Sequence, residues 1–334
     1  MKKLINDSGS VVTQSVAGLV AAHGDILSAS EDPLFVSRAG GAVSGKVGLV
    51  SGGGSGHEPL HAGFVGVGML DAAVPGAVFT SPSPEPILAA MQAADGGAGV
   101  VQIVKNYTGD VLNFEVAAEL GEAEGMTVRS VLVADDVAVE DSTYTAGRRG
   151  VAGTLVVEKI AGAAAERGDD LDAVVAVAER TAAAVRTMGI ALTAPTVPAA
   201  GRPSFDLEDD EVEVGIGIHG EPGRRRVKAV SADETAELLL EPILHDLGDD
   251  VAGREVLLLV NGMGATPSLE LYVLYGAARR ILEERGATVT RSLVGSYVTS
   301  LDMAGASISV MPLDEELTAL WDAPAHTVAL RQGM

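Results

Sequence analysis

A single histidine stands between glycines in GIGIHGEPG (residues 215–223), with an acid and a proline behind it. At His219 a neutral imidazole nitrogen, nucleophilic near neutral pH, sits on a backbone with few side chains to obstruct a small molecule. A second histidine, His57, closes another glycine-rich stretch, SGGGSGHEP (51–59), whose bare N–H groups can face an anion or a small polar ligand. A third group follows the apolar run GVVQIV: in VKNYTGD (104–110), Lys105, Asn106, Tyr107, Thr108 and Asp110 cluster within one turn of chain. In FTSPSPEP (79–86), Thr80 and Ser81 end a fourth apolar run. Together His57, Asp110 and His219 provide acid, base and nucleophile types. Each also has a plain structural reading: a tight turn at His57, helix caps at Asp110 and at Thr80–Ser81, and a hydrogen-bonded core imidazole at His219.

Several chemistries are excluded. The first glycine loop lacks the lysine of a Walker A motif, since His57 and Glu58 follow its last glycine. Gly52 and Gly54 do not begin a dinucleotide fingerprint either, because position 57 is histidine. With no cysteine, disulfides, thiolate metal sites and thiol nucleophiles are absent. Two histidines and an aspartate could in principle hold zinc, but His57 and His61 read H-E-P-L-H, and the proline is a poor match to a zinc-binding helix. No metal site is expected.

The elements that must position these residues alternate. Short apolar runs ending in glycine or polar residues (KVGLVSGGG, AAVPGAVFTSP, GVVQIVKNYTGD, TVRSVLVADDVAV) are followed by helical patterns, the first of them over HEPLHAGFVGVGML. This succession predicts an α/β fold of two domains, each a mixed or mostly parallel sheet flanked by helices. The proline-rich and acidic stretch after residue 188 separates residues 1–190, with the glycine loop, from residues 191–334, with His219. A length of 334 residues and 47% apolar content suit two such cores, and the 3% aromatic content favours close packing of small side chains. Functional positions are sought outside the carboxyl ends of the strands. A net charge of −23 argues against nucleic acid as a partner. No apolar run approaches the roughly 20 residues of a membrane span, and MKKLINDSGS has no apolar signal region, so a cytoplasmic location is expected.

The stretches GLVSGGGSGHEPLHAGFVGVGML, IVKNYTGDVLNFE, DDVAVEDSTYTAGRRGVAGT, GIALTAPTVPAAGRPSF, GIGIHGEPG, VNGMGATPSLELY, TSLDMAG and LWDAPAHT resemble, in order and over nearly the whole chain, the dihydroxyacetone-binding subunits of bacterial dihydroxyacetone kinases. The resemblance implies that His219 adds through Nε2 to the ketone of dihydroxyacetone as a covalent hemiaminal. It gives acid and base work to His57 and Asp110, and substrate contacts to Gly54, Ser55, Gly56, His57, Lys105 and Asp110. It also implies a homodimer with no cofactor on this chain. ADP or ATP with Mg would be carried by a separate helical kinase subunit, recharged in many bacteria by a phosphotransferase-system donor. A related short-chain ketose is the alternative substrate. Some relatives act instead as coactivators of transcription regulators, and those lose the catalytic set. The arginines of EPGRRR are expected to meet solvent, or else phosphate or an acidic partner.

Overall fold

The structure is a computed structural model that describes residues 2–140 and 145–333; the DSTY of the resembling stretch 135–154 lies outside the described residues. The first part runs α1 (Val11–Ala22), β1 (Leu27–Glu31), β2 (Leu34–Arg38), β3 (Gly48–Ser55), β4 (Gly66–Val67), β5 (Ala72–Val78), α2 (Pro84–Ala94), β6 (Val100–Lys105), α3 (Thr108–Ala123), β7 (Val128–Val133), α4 (Gly153–Arg167) and α5 (Leu171–Ala184). There follow β8 (Arg186–Ala191), β9 (Glu211–Val214), β10 (Arg225–Lys228), α6 (Ala232–Leu247), β11 (Glu255–Gly262), α7 (Ser268–Glu284), β12 (Thr288–Gly295), β13 (Gly305–Pro312), α8 (Glu315–Asp322), β14 (Ala325–Thr327) and β15 (Arg331–Gln332).

Both halves carry a six-stranded mixed sheet, ordered β1-β2-β5-β3-β6-β7 and β10-β9-β8-β13-β11-β12. In the first, β5, β3, β6 and β7 run parallel, so their carboxyl ends open on one edge. In the second only β11 and β12 are parallel, and the other neighbours are antiparallel. The chain enters the second sheet at Arg186, so a division at 190/191 falls inside β8. It also returns: Leu317, Leu320 and Trp321 of α8 join the core of the first half, and β14 pairs with β4.

Strand alternation sets the layers. On β6, Val101 and Ile103 face one core while Val100 and Val104 face another; on β11, Leu257 and Leu259 share that first core while Val256, Leu258 and Val260 face a third. The shared layer holds α4 and α5. Every residue of α4 from Gly153 to Ala165 is buried. Its alanines and glycines permit this, because a Cβ at Gly162 would lie 2.4 Å from the Cα of Met69. A helix enclosed on all sides must be small-residue or apolar all round, and this one is, apart from Thr154, Glu158 and Lys159.

The helix expected over residues 57–70 does not form. That segment is turns, a three-residue 3-10 turn (Ala62–Phe64) and β4. Pro59 interrupts its start, while Gly66 and Gly68 take φ of +149° and +77°, which no α-helix contains. His57 and His61 therefore do not share a helical face. Among the described residues, no helix is long and apolar enough to cross a membrane.

Candidate active site

The site lies at the carboxyl edge of the first sheet, where a loop from the second half reaches it. β3 is glycine-rich because its neighbours come too close for side chains. A Cβ at Gly53 would stand 2.3 Å from Lys105 Nζ, and one at Gly54 would stand 2.5 Å from the backbone N of Thr80. Lys105, the last residue of β6, is thus fully buried behind the glycine strand, where its ammonium donates to the Gly52 carbonyl (3.2 Å). Asp110 is not a helix cap. It lies in the first turn of α3, whose N-cap is Tyr107, with Oδ2 3.8 Å from Lys105 Nζ and Oδ1 buried without a partner among the described residues.

His57 occupies the turn after β3 and is 1% exposed. Its Nδ1 lies 2.7 Å from the Thr299 carbonyl oxygen, which can only accept, so Nδ1 carries the proton. Nε2 then bears a lone pair, and it is buried with no partner among the described residues. Burial, then the neighbouring His219 and Lys105, hold this imidazole well below its usual pKa and therefore neutral.

His219 arrives on the loop after β9, which ends at Val214 rather than continuing through the glycines. Glu221 folds back under it. The His219 backbone N–H donates to Oε2 and the imidazole Nδ1 to Oε1, both at 2.9 Å. Gly217 makes the turn possible, since a Cβ there would meet Glu221 Oε2 at 2.1 Å. Burial opposes ionisation of Glu221, but His219 and its Nδ1 hydrogen bond, with Arg149, bring the carboxyl down to about 2. Arg149, wholly buried, anchors the loop by donating to the Gly215 carbonyl and to Asp136 Oδ2, both at 2.7 Å. With Nδ1–H committed to a carboxylate, Nε2 is the nitrogen free to carry the lone pair of a nucleophile. Three rings stand edge-on around it, with centroids at 4.6 Å (Tyr107), 4.7 Å (His57) and 5.2 Å (Phe79).

In front lies an open cavity of about 520 Å³ whose wall includes Gly54, Thr80, Tyr107, Asp110, Asn113 and His219. The structure thus brings His57, Asp110 and His219 to one place, with Gly54 in the wall. Ser55 donates its hydroxyl to the Gly76 carbonyl (2.7 Å), and the Gly56 N–H donates to the Glu58 carboxylate (2.9 Å). Sequence reasoning missed Glu221, Arg149 and the pair His61–Glu158. Only Glu221 left a local signal, an acid two residues beyond the histidine. The arrangement can present an imidazole nitrogen to a carbonyl and two acceptors, His57 Nε2 and Asp110 Oδ1, to hydroxyl protons.

Residues 17–329 match the Dak1 domain. The chain is 52% identical to the dihydroxyacetone-binding subunit DhaK of PTS-dependent dihydroxyacetone kinase 1 from Listeria innocua, covering 98% of this chain and 100% of that one. It is 48% identical to the corresponding subunit of the PEP-dependent kinase of Escherichia coli, with both chains fully covered. Among solved structures, the dihydroxyacetone kinase operon co-activator DhaQ superposes with a TM-score of 0.90 at 33% identity, covering 96% of this chain and 98% of that one.

Proposed function

The chain belongs to the Dak1 domain family, and from that premise we propose that it is the dihydroxyacetone-binding subunit of a dihydroxyacetone kinase, holding its substrate covalently on His219. The observation that carries this reading is the two-point grip of Glu221 on His219, which holds the ring proton on Nδ1 and leaves Nε2 free for a ligand at the wall of a cavity that also presents Asp110. Nε2 attacks the ketone carbon, and the carbonyl π electrons move to oxygen. The alkoxide takes a proton from water in the open cavity, and Nδ1 gives one up through Glu221 to solvent, so no proton is gained overall and the hemiaminal is neutral and reversible. Glycerol, which has no carbonyl, cannot form it.

Asp110 then takes the proton of a terminal hydroxyl, whose oxygen attacks the γ-phosphorus of a nucleotide on a separate subunit as the bond to the β,γ-bridging oxygen breaks and ADP leaves. His57 Nε2 accepts from a substrate hydroxyl and orients it. Gly54 supplies a backbone contact from the cavity wall, Ser55 and Gly56 hold the loop in place through Gly76 and Glu58, and Lys105 supports Asp110 from behind the strand. ADP or ATP with Mg belongs to the partner, whose recharging by a phosphotransferase-system donor fits the names of the relatives. The same reading takes the chain as a cytoplasmic homodimer. A four-carbon ketose has the same reactive carbonyl. The intact catalytic set favours the kinase over the coactivator reading.

Two experiments follow. The purified chain with dihydroxyacetone and ATP is expected to turn over only when the nucleotide-bearing subunit is added; robust activity from the chain alone sinks the split-subunit reading. Glu221→Gln is expected to reverse the His219 tautomer. The backbone N–H of His219 needs an acceptor, so the amide oxygen goes there, the NH₂ faces Nδ1, and the ring proton is driven to Nε2. Adduct formation then falls at least about 100-fold. Carbon-13 NMR of ketone-labelled dihydroxyacetone reads this as loss of the tetrahedral-carbon signal, and an undiminished signal refutes the role given to Glu221.

A further inference from the structure

Behind Asp110 a line of buried side chains leads away from the cavity. Lys105 Nζ lies 2.8 Å from His61 Nε2, and His61 Nδ1 lies 2.5 Å from Glu158 Oε1 on α4. Lys105 and Glu158 have no solvent exposure, and Glu158 Oε2 has no hydrogen-bond partner among the described residues. The Ser51 hydroxyl, 3.0 Å from His61 Nδ1, is committed as a donor to the Ile103 carbonyl at 2.6 Å. The titratable groups facing this line are Asp110 from α3, Lys105 from β6, His57 and His61 from the segment after β3, and Glu158 from α4.

Each of the two contacts holds one proton, and there are two ways to place them. In the first, Nζ donates to Nε2 and Nδ1 donates to Oε1, giving an ammonium, a neutral imidazole and a carboxylate. Shifting both protons one step gives an amine, the other neutral tautomer of His61 and a carboxylic acid. The two states hold the same protons and the same net charge, so they interconvert without solvent. Burial favours the uncharged state: it pulls Lys105 below its ordinary range and pushes Glu158 up to about 8, with the charged neighbours opposing both. An ionised Asp110, 3.8 Å from Nζ, favours the charged state.

We propose that Lys105, His61 and Glu158 form a proton relay that follows the charge on Asp110, keeping Lys105 an ammonium while Asp110 is a carboxylate and discharging it once Asp110 has taken the substrate's proton. The relay rests on the reading of Asp110 as the base. It spares the protonated intermediate a buried ammonium and carboxylate held apart by His61, and it makes His61 and Glu158 positioning residues of the reaction.

The test is the His61 tautomer, read by nitrogen-15 NMR of histidine-labelled full-length protein with the resonance assigned by His61→Gln. In the native chain the proton is expected on Nδ1. In Asp110→Asn, which mimics the protonated base, it is expected on Nε2. In Asp110→Asn/Glu158→Gln, where the far end cannot take a proton, it returns to Nδ1. The same tautomer in the native chain and Asp110→Asn overturns the relay and leaves the base reading standing. Full turnover by Asp110→Asn with the partner subunit overturns the base reading instead. In steady-state kinetics with the partner, Glu158→Gln is expected to lower kcat about 10-fold with KM for dihydroxyacetone unchanged; an unchanged kcat also overturns the relay.

Discussion

His219→Ala is expected to lose the covalent adduct entirely and to lower turnover, measured with the nucleotide-bearing subunit, by at least about 10³-fold. The other neutral imidazoles near the site cannot take over. His57 Nδ1–H is held by a carbonyl oxygen, which unlike Glu221 cannot take the proton a neutral hemiaminal must shed, and His61 lies behind the glycine strand between Lys105 and Glu158. Carbon-13 NMR of the labelled ketone checks the adduct directly. A tetrahedral-carbon signal that survives in His219→Ala assigns the nucleophile elsewhere, whatever happens to turnover.

Asp110→Asn and His57→Ala separate binding from chemistry. Both keep His219 and Glu221, so the adduct signal is expected to persist while kcat falls by about 10²- to 10⁴-fold, the usual worth of a positioned base. Asparagine matches aspartate in shape, and Oδ1 has no hydrogen bond to lose, so Asp110→Asn removes the charge and little else. His57→Ala also gives up the stack on Phe79, centroids 5.1 Å apart, and the bond to Thr299, so a modest loss of stability accompanies its loss of turnover. Loss of the adduct in Asp110→Asn would make the aspartate part of substrate capture rather than of proton removal.

The sequence makes the chemical outline of the site legible because its key residues interrupt strong local patterns. His219 among glycines, His57 after a glycine strand and Asp110 after an apolar run all break a periodicity. What the sequence hides is what those residues lean on. Glu221 reads as an ordinary loop acid until the turn at Gly217 is seen to fold it beneath the imidazole. Glu158 looks like the polar stripe of an amphipathic helix, and only the burial of α4 on every side turns it into a partner for His61, 97 residues away. The false helix over residues 57–70 has the same origin. Its apolar spacing suits a helix, but the pairing of β4 with β14, more than 250 residues later, decides its conformation. The strand edge that collects the site was legible; the return of α8 and β14 to the first half was not, because nothing local marks it.

The helix α4 also limits how the molecule can admit a ligand. Packed against β3, β6 and β7 of the first sheet, α5 and α8, in a core that Leu257, Leu259 and Met311 of the second sheet share, it ties the halves together as a wedge ties two boards, and drawing them apart would wet a helix buried from Gly153 to Ala165. Entry and exit must therefore use the standing opening beside Thr80, Ser81 and Asn113. The dwell time of the ketone is then governed by the lifetime of a carbon–nitrogen bond rather than by the opening of a clamshell.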